Sequence, residues 1–494
     1  MITKYRIHPS IGIARIGNSA NDWFDGPDVP SLAFTPPGGA YRDASGRIKR
    51  QAAKFRIYES TYDPTDLTHP VSVREITSAD AEIEWHVQLA NLKSFERDPA
   101  GGGNVPVPNS PPTGSVRPGD MHEIQGSVFG HNLLLGRLMT DDDGRLRVLG
   151  GLGRSESPSG EPLVSLFNPG WYDDVSDGPV RATIRLHGTN DVPVVESAWV
   201  VVGVPAYAHP VVSIVTMWDL AYDIAVRHFG HPLPVRVSFT RDIYPILQRT
   251  VLMQWASGLA RVGHGPGRRG DFLEPALLGL LASNDSAPGS PARAARERVF
   301  DKLRNPLGGT GGNMPRLPGP PSPVTPNADG FTVTQVQFDL MQRWRQGSFD
   351  PDWAGPPPEP VFSALSPAEQ TAALDHTGLW TGVGGSFLPG IEVSSAFAQW
   401  TTYASPFRIQ PTLPAGTLTA GLSVPWQADF TACGSNYWPG ARPNEVTDNG
   451  TAFHQWTTYT MPQMVADWWK LGFLAWRPLQ SGVAGILETE KVVP

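Results

Sequence analysis

Leu138-Met-Thr-Asp-Asp-Asp-Gly144-Arg-Leu-Arg-Val-Leu149 reads as two strands joined by a tight turn, with Leu146 and Val148 alternating against arginines after an Asp-Gly corner. The aspartate run invites a calcium loop, but Gly144 and the flanking strands make a β-turn the better reading. Lys54-Phe-Arg-Ile-Tyr58 upstream and Ala182-Thr-Ile-Arg-Leu-His187 downstream alternate in the same way, so region 1–205 reads as β-rich. Asp173-Asp174-Val-Ser-Asp177-Gly178 lacks the ligand spacing and closing glutamate of an EF-hand.

Beyond residue 206 the apolar period becomes helical. Val215, Trp218, Leu220, Tyr222 and Ile224 share one helix, and further helices are expected over 243–261, 293–304 and 332–345. Ser366-Pro367-Ala-Glu369 is a helix start: serine caps, proline takes the first turn, and glutamate closes the capping box. A last helix is expected from Pro462, carrying Val465, Trp468, Trp469 and Phe473. Strands followed by helices and loops give an α+β class. The expected organisation is a β-rich region 1–205, a mainly helical region 206–350 and a C-terminal region 351–494. The third is expected to form one compact unit with the first.

The chain has 494 residues, a formal charge of −8, 17% charged and 40% apolar residues, which fits a folded soluble protein. No basic stripe appears, which argues against nucleic acid as a partner. Its 52 glycines and 50 prolines, about a fifth of the chain, exclude a helical bundle and imply many short strands. Tracts 97–119, 305–326 and 354–360 read as surface excursions. The N-terminus has no apolar signal segment, and the longest apolar run, Ala198-Trp-Val-Val-Val-Gly-Val-Pro205, is strand-sized. A cytoplasmic location without membrane contact is the expectation, with export lacking a signal left open.

Several familiar motifs fail. Gly265-Pro-Gly267-Arg-Arg-Gly270 matches a dinucleotide fingerprint by letter, but no strand precedes it and it suits an exposed loop. His228-Phe-Gly-His231 has no acidic or thiol companion, and complements a helix C-terminus instead. Cys433 is the only cysteine, which excludes an internal disulfide and is too little for a structural zinc site; no metal is expected. It lies in Pro425-Trp-Gln-Ala-Asp429-Phe-Thr-Ala-Cys433. A buried small hydrophobe, a nucleophile, or half of an unusual covalent bond remain open. Lone cysteines and tryptophan-rich stretches in most proteins are simple packing.

Ile7-His-Pro-Ser-Ile-Gly-Ile-Ala-Arg-Ile-Gly-Asn18-Ser19 resembles the opening of the LodA-like family of lysine ε-oxidases and glycine oxidases, whose cofactor is cysteine tryptophylquinone. The likeness recurs in Ile48-Lys-Arg-Gln-Ala-Ala-Lys-Phe-Arg-Ile-Tyr58, Arg145-Leu-Arg-Val-Leu-Gly-Gly151 and Trp171-Tyr-Asp-Asp-Val-Ser-Asp-Gly-Pro-Val180. It continues in Gly384-Gly-Ser-Phe-Leu-Pro-Gly-Ile-Glu392, the Pro425 to Cys433 stretch, and Asp467-Trp-Trp-Lys-Leu-Gly-Phe473. These blocks run in family order over essentially the whole chain.

The resemblance implies a quinoprotein oxidase that deaminates a primary amine, most readily an amino acid. Dioxygen would be the acceptor, and an aldehyde or oxo acid, ammonia and hydrogen peroxide would leave after a Schiff base on the quinone. It implies a cofactor built from Cys433 and Trp468, with Trp469 as the rival ring and Trp438 too close to the cysteine in sequence. Asp429 then assists cofactor formation and is a candidate base. Thr381 or Gly382 would shape the substrate site, their small size implying a substrate larger than glycine. Glu392 could hold an ammonium or make a structural hydrogen bond, and His454 could border the pocket. A flavin-dependent modifying enzyme and a homo-oligomeric state are implied partners. The alternatives are an inactive relative serving as a binding or scaffold protein, and an oxidase of a carrier-linked or modified amine.

Overall fold

The computed structural model describes residues 1–98, 103–107, 112–189, 191–308, 312–317, 331–385, 387, 389–432, 438, 440–479 and 484–492. Strand Arg50–Asp63 organises the N-terminal region: it pairs antiparallel with Ile2–His8, Asp66–Ile76 and Leu146–Gly150. From it the main sheet runs through Ile11–Arg15, Ala198–Gly203, Ser176–Leu186 and Ala81–Gln88 to Thr113–Val116. In the other direction it runs through Leu146–Gly150 and His131–Thr140 to Met121–Val128. The two end strands pack beside each other, so the sheet nearly closes into a barrel. The patterns explain the pairing. Ala81, Ile83, Trp85 and Val87 are buried, whereas the residues between them are exposed or half-buried. Ala198–Gly203, an unbroken apolar run, is buried on both faces and lies centrally. Residues 141–144 form the expected β-turn, with the Gly144 N–H donating to Asp141 O and Gly144 at φ +79°.

The helices start after capping residues, and several end earlier than apolar periodicity predicts, whereas Gln335–Arg345 ends where expected. Thr216 caps Met217–Phe229, which stops at Gly230 in the left-handed region. The span expected as one helix over 243–261 is broken. A π-turn (Phe239–Ile243) leads into helix Tyr244–Leu252, then a 3-10 turn, and Ser257 caps a new helix, Gly258–His264. The remaining expected helices appear as Pro291–Phe300, Gln335–Arg345 and Pro367–Trp380, the last with the Ser366–Glu369 capping box.

The last helix, Met461–Asp467, carries Val465 and stops before either tryptophan. Asp467 leaves helical geometry (φ −121°, ψ 8°), and Trp468–Lys470 form a single 3-10 turn. Phe473 belongs to strand Phe473–Pro478, which pairs with Ala484–Thr489. This hairpin and the short helices before it share a hydrophobic core with the barrel: Trp426, Phe430, Trp468 and Phe473 join Ile16, Leu135 and Val202. No helix among the described residues is long and apolar enough to cross a membrane.

Candidate active site

Trp468 is held on several sides. Its side chain is almost fully buried, and the hydroxyl of Tyr207 donates to its backbone carbonyl at 2.8 Å. Trp426 meets its ring edge-on, with centroids 5.3 Å apart and an interplanar angle of 72°. Gly153 comes against the benzo edge: a Cβ there would overlap Trp468 Cζ2 and lie 2.8 Å from Cε2 and Cη2. Gly153 also has φ +79°, a backbone region that disfavours any side chain. Gly153→Ala is therefore expected to cost about 2–4 kcal/mol, combining left-handed strain with overpacking. Chemical denaturation of the variant checks this; an unchanged midpoint would remove the contact from the account.

Asp429 opens the one-turn helix Asp429–Ala432, directly after the 3-10 turn that carries Trp426. It is 2% exposed, and Arg442 Nη1 reaches its Oδ2 at 3.4 Å and its backbone carbonyl. Cys433, the next residue after the helix, lies outside the described residues, as does any bond it makes. The two rings compared for the cofactor differ in setting. Trp469 is half-buried, its face lies under Lys470 Nζ at 5.5 Å, and its carbonyl accepts from Arg42. Trp468 instead packs on Trp426, three residues before Asp429.

A buried charge cluster underlies this arrangement. Lys93 Nζ lies 2.7 Å from Asp173 Oδ2 and 3.0 Å from the Ser423 carbonyl, with both side chains of the ion pair fully inaccessible. Asp173 also accepts from the backbone N–H of Trp426 at 2.8 Å and from Asn91 Nδ2. Burial pulls the Lys93 ammonium below the usual lysine range, while Asp173, Asp174 and Asp429 act against that shift. Asp174 takes the backbone N–H groups of Gly153 and Arg154 on Oδ2, at 2.7 and 3.1 Å. The sequence did not single out Lys93, Gly153 or Arg442, and the Asp173-Asp174 doublet entered only as a failed calcium loop and as part of the Trp171–Val180 family-like block, with no role given to either residue. A carboxylate doublet placed between buried strands was the available signal.

The other candidates gather elsewhere. Arg15 donates to Glu392 Oε1 at 3.0 Å and approaches Thr381 Oγ1 at 3.5 Å. Glu392, 1% exposed, also accepts the Val383 N–H at 3.1 Å, so that it ties its loop to Val383 and to Arg15 of the barrel strand Ile11–Arg15. Gly382 packs where a Cβ would meet Met217. Thr381 lines a shallow cleft with Ile13, Gln51 and Lys54, and Trp468 is not among its lining residues. His454 is exposed and pairs with Glu488 at 3.0 Å. Among the described residues, no cluster of three or more His, Cys, Asp or Glu side chains is arranged to hold a metal ion.

Residues 8–100 and 106–202 match the family described as L-lysine epsilon oxidase N-terminal, and 311–456 match the L-lysine epsilon oxidase C-terminal domain. The chain belongs to the L-lysine ε-oxidase family. An L-lysine 6-oxidase from Marinomonas mediterranea is 26% identical, over 86% of this chain and 70% of the relative. The solved ε-lysine oxidase of that organism superposes with a TM-score of 0.73 at 20% identity, covering 99% of this chain and 95% of the other. A second structure, described as the Schiff base intermediate of that oxidase with L-Lys, gives a TM-score of 0.71 at 20% identity, covering 99% and 95%. These likenesses establish the shared fold, a β-rich N-terminal part followed by a helical and loop-rich C-terminal part.

The residues around Trp468 fit a ring-borne redox group on two counts. Gly153 brings bare backbone to the ring edge, and the Oδ1 atom of Asp174 is buried without a hydrogen-bond partner among the described residues.

Proposed function

We propose that this chain is an amino-acid oxidase of the family's quinoprotein type, with a cysteine tryptophylquinone formed from Cys433 and Trp468. The observation that carries the reading is Trp468 itself: buried, packed on Trp426, and joined through that short segment to Asp429 and so to Cys433 in sequence. A quinone on that ring would supply an electrophile for a primary amine and a two-electron sink, with dioxygen as the final acceptor and hydrogen peroxide as its reduced product. The protein supplies orientation and a dry enclosure. Trp426 and Gly153 hold the ring from two sides, Tyr207 holds its backbone, and Asp429 is the candidate to accept the proton next to the substrate nitrogen. Arg442 holds the Asp429 backbone and carboxylate in place.

The names of the relatives support an amino acid as the substrate class, released as aldehyde or oxo acid with ammonia. A substrate larger than glycine is proposed from the resemblance, which assigns the small residues Thr381 and Gly382 to the substrate site; in the structure the two pack at Arg15 and Met217. A flavin-dependent modifying enzyme installs the ring oxygens in this reading, and a homo-oligomer is the proposed assembly. Regions 1–205, 206–350 and 351–494 remain the proposed organisation, the third packed with the first.

The test is production with and without the cognate flavoprotein, followed by intact-mass measurement, peptide mapping and peroxide release over a panel of amines. Expected are a mass change showing oxygen gained and hydrogen lost, a peptide joining Cys433 to Trp468, and a best substrate larger than glycine. An unmodified chain under all conditions would sink the oxidase reading and favour an inactive binding relative.

A further inference from the structure

Asp174 is a carboxyl whose two oxygens have different surroundings. Oδ2 is claimed by the N–H groups of Gly153 and Arg154, while Oδ1 is buried with no hydrogen-bond partner among the described residues. Gly151 gives it room, since a Cβ there would run into the Asp174 carboxylate. The same Gly153 whose N–H it holds is the residue pressed against Cζ2 of Trp468. Asp174 therefore reaches the ring through a single residue of backbone.

The charged groups around it are otherwise engaged. Lys93 is paired with Asp173, and Arg442 with Asp429. Arg50, in the barrel wall, gives Nη1 and Nη2 to the carbonyls of Gly150 and Ala20 and lies close enough to feel the charge of Asp174 without a hydrogen bond to it among the described residues, and Arg154 pairs with Glu156 at 2.6 Å. Two buried cations thus face Asp173 and Asp429, and Asp174 makes no ion pair among the described residues. Burial, and then the charge of Asp173, push its carboxyl up to about 7. A carboxylic acid with two donors on one oxygen carries its proton on the other, which here is Oδ1.

We propose, resting on the reading of Trp468 as the redox ring, that Asp174 is a positioning residue of that centre. Its Oδ2 pins the Gly153–Arg154 turn against the ring edge, and its Oδ1 holds an exchangeable proton in the same enclosure. Below neutrality Oδ1 presents an O–H donor, and above it an acceptor. The sign of the stability effect follows from a native value above the unfolded one. The contribution is fully present below about pH 4, the unfolded carboxyl range, and is lost as pH rises through about 7. Asp174→Asn does not titrate, so the stability difference moves in the variant's favour as pH rises from about 5 to about 8.

Two readouts test this on the full chain. Infrared difference spectra of unmodified protein across neutral pH are expected to contain a protonated-carboxyl band that titrates near pH 7. That band should be absent in Asp174→Asn and retained in Asp177→Asn and Asp223→Asn, which remove two further buried acids, Asp177 raised to about 6 and Asp223 raised by burial. No band in the wild type, or one that survives Asp174→Asn, overturns the proton-holding role. In protein produced with the flavoprotein, Asp174→Ala is expected to lower the yield of the Cys433–Trp468 peptide about 10-fold, while Asp174→Asn, which keeps an acceptor for both N–H groups, stays near wild type. Equal yields from Ala, Asn and wild type overturn the pinning role. A wild-type chain that carries no linkage, yet shows the Asp174 band and its pH-dependent stability, overturns the oxidase reading and the positioning of a redox ring while leaving the proton site established.

Discussion

Trp468→Phe is expected to abolish quinone staining on a denaturing gel and to reduce peroxide release to background with every amine, whereas Trp469→Phe should retain both. The asymmetry comes from the settings of the two indoles. Trp468 packs edge-on against Trp426, at the head of the segment that carries Asp429 and leads to Cys433. Trp469 turns toward Lys470 and keeps partial contact with solvent. A phenyl ring fills most of the same space, so Trp468→Phe should fold with a loss of about 1–3 kcal/mol, typical of a buried truncation. Folding of both variants is checked by denaturant midpoint, so that loss of the stain is read as loss of the ring. Staining retained in Trp468→Phe and lost in Trp469→Phe would move the cofactor to the neighbouring tryptophan.

Much of the architecture was legible because its causes are local. Lys54–Tyr58 lies in a strand buried on both faces apart from Lys54, and Ala182–Leu186 in a strand whose central Ile184 is buried between exposed neighbours, with His187 just past its end. The Ser366–Glu369 capping box requires only four residues to be read. What was misread depended on distant partners or on a local cap that periodicity outweighed. The apolar residues of 465–473 allow a continuing helix, but Tyr207, 261 residues from Trp468 in sequence, takes that residue's carbonyl as the chain turns off at Asp467. Helix Gly258–His264 separates from its predecessor because Ser257 caps it, a competing local signal that periodicity outweighed. Thr381 and Glu392 were singled out by resemblance, and the structure gathers them at Arg15. The pairing of Lys93 with Asp173, 80 residues apart, has no sequence signature, because only closure of the barrel strands brings the two together.

That pairing yields the largest expected effect on stability. Lys93→Met removes the amine from a site where Asp173 is fully buried and Asp174 and Asp429 are close enough to be felt by it. Removing one partner of a buried pair leaves an uncompensated charge, so a loss of about 3–5 kcal/mol is expected. Lys93→Gln should lose less, since its amide can still donate to Asp173 and to the Ser423 carbonyl that Lys93 now holds. Denaturant midpoints of the three proteins at neutral pH measure the order, and equal midpoints for Met and wild type would show that the pair contributes nothing. The effect should also reach the ring. Asp173 holds the backbone N–H of Trp426, and Trp426 is the neighbour packed on Trp468. A variant with Asp173 released should therefore form less of the Cys433–Trp468 peptide than its remaining folded fraction accounts for. If the yield instead follows the folded fraction alone, the lysine sustains the fold and has no part in placing the ring.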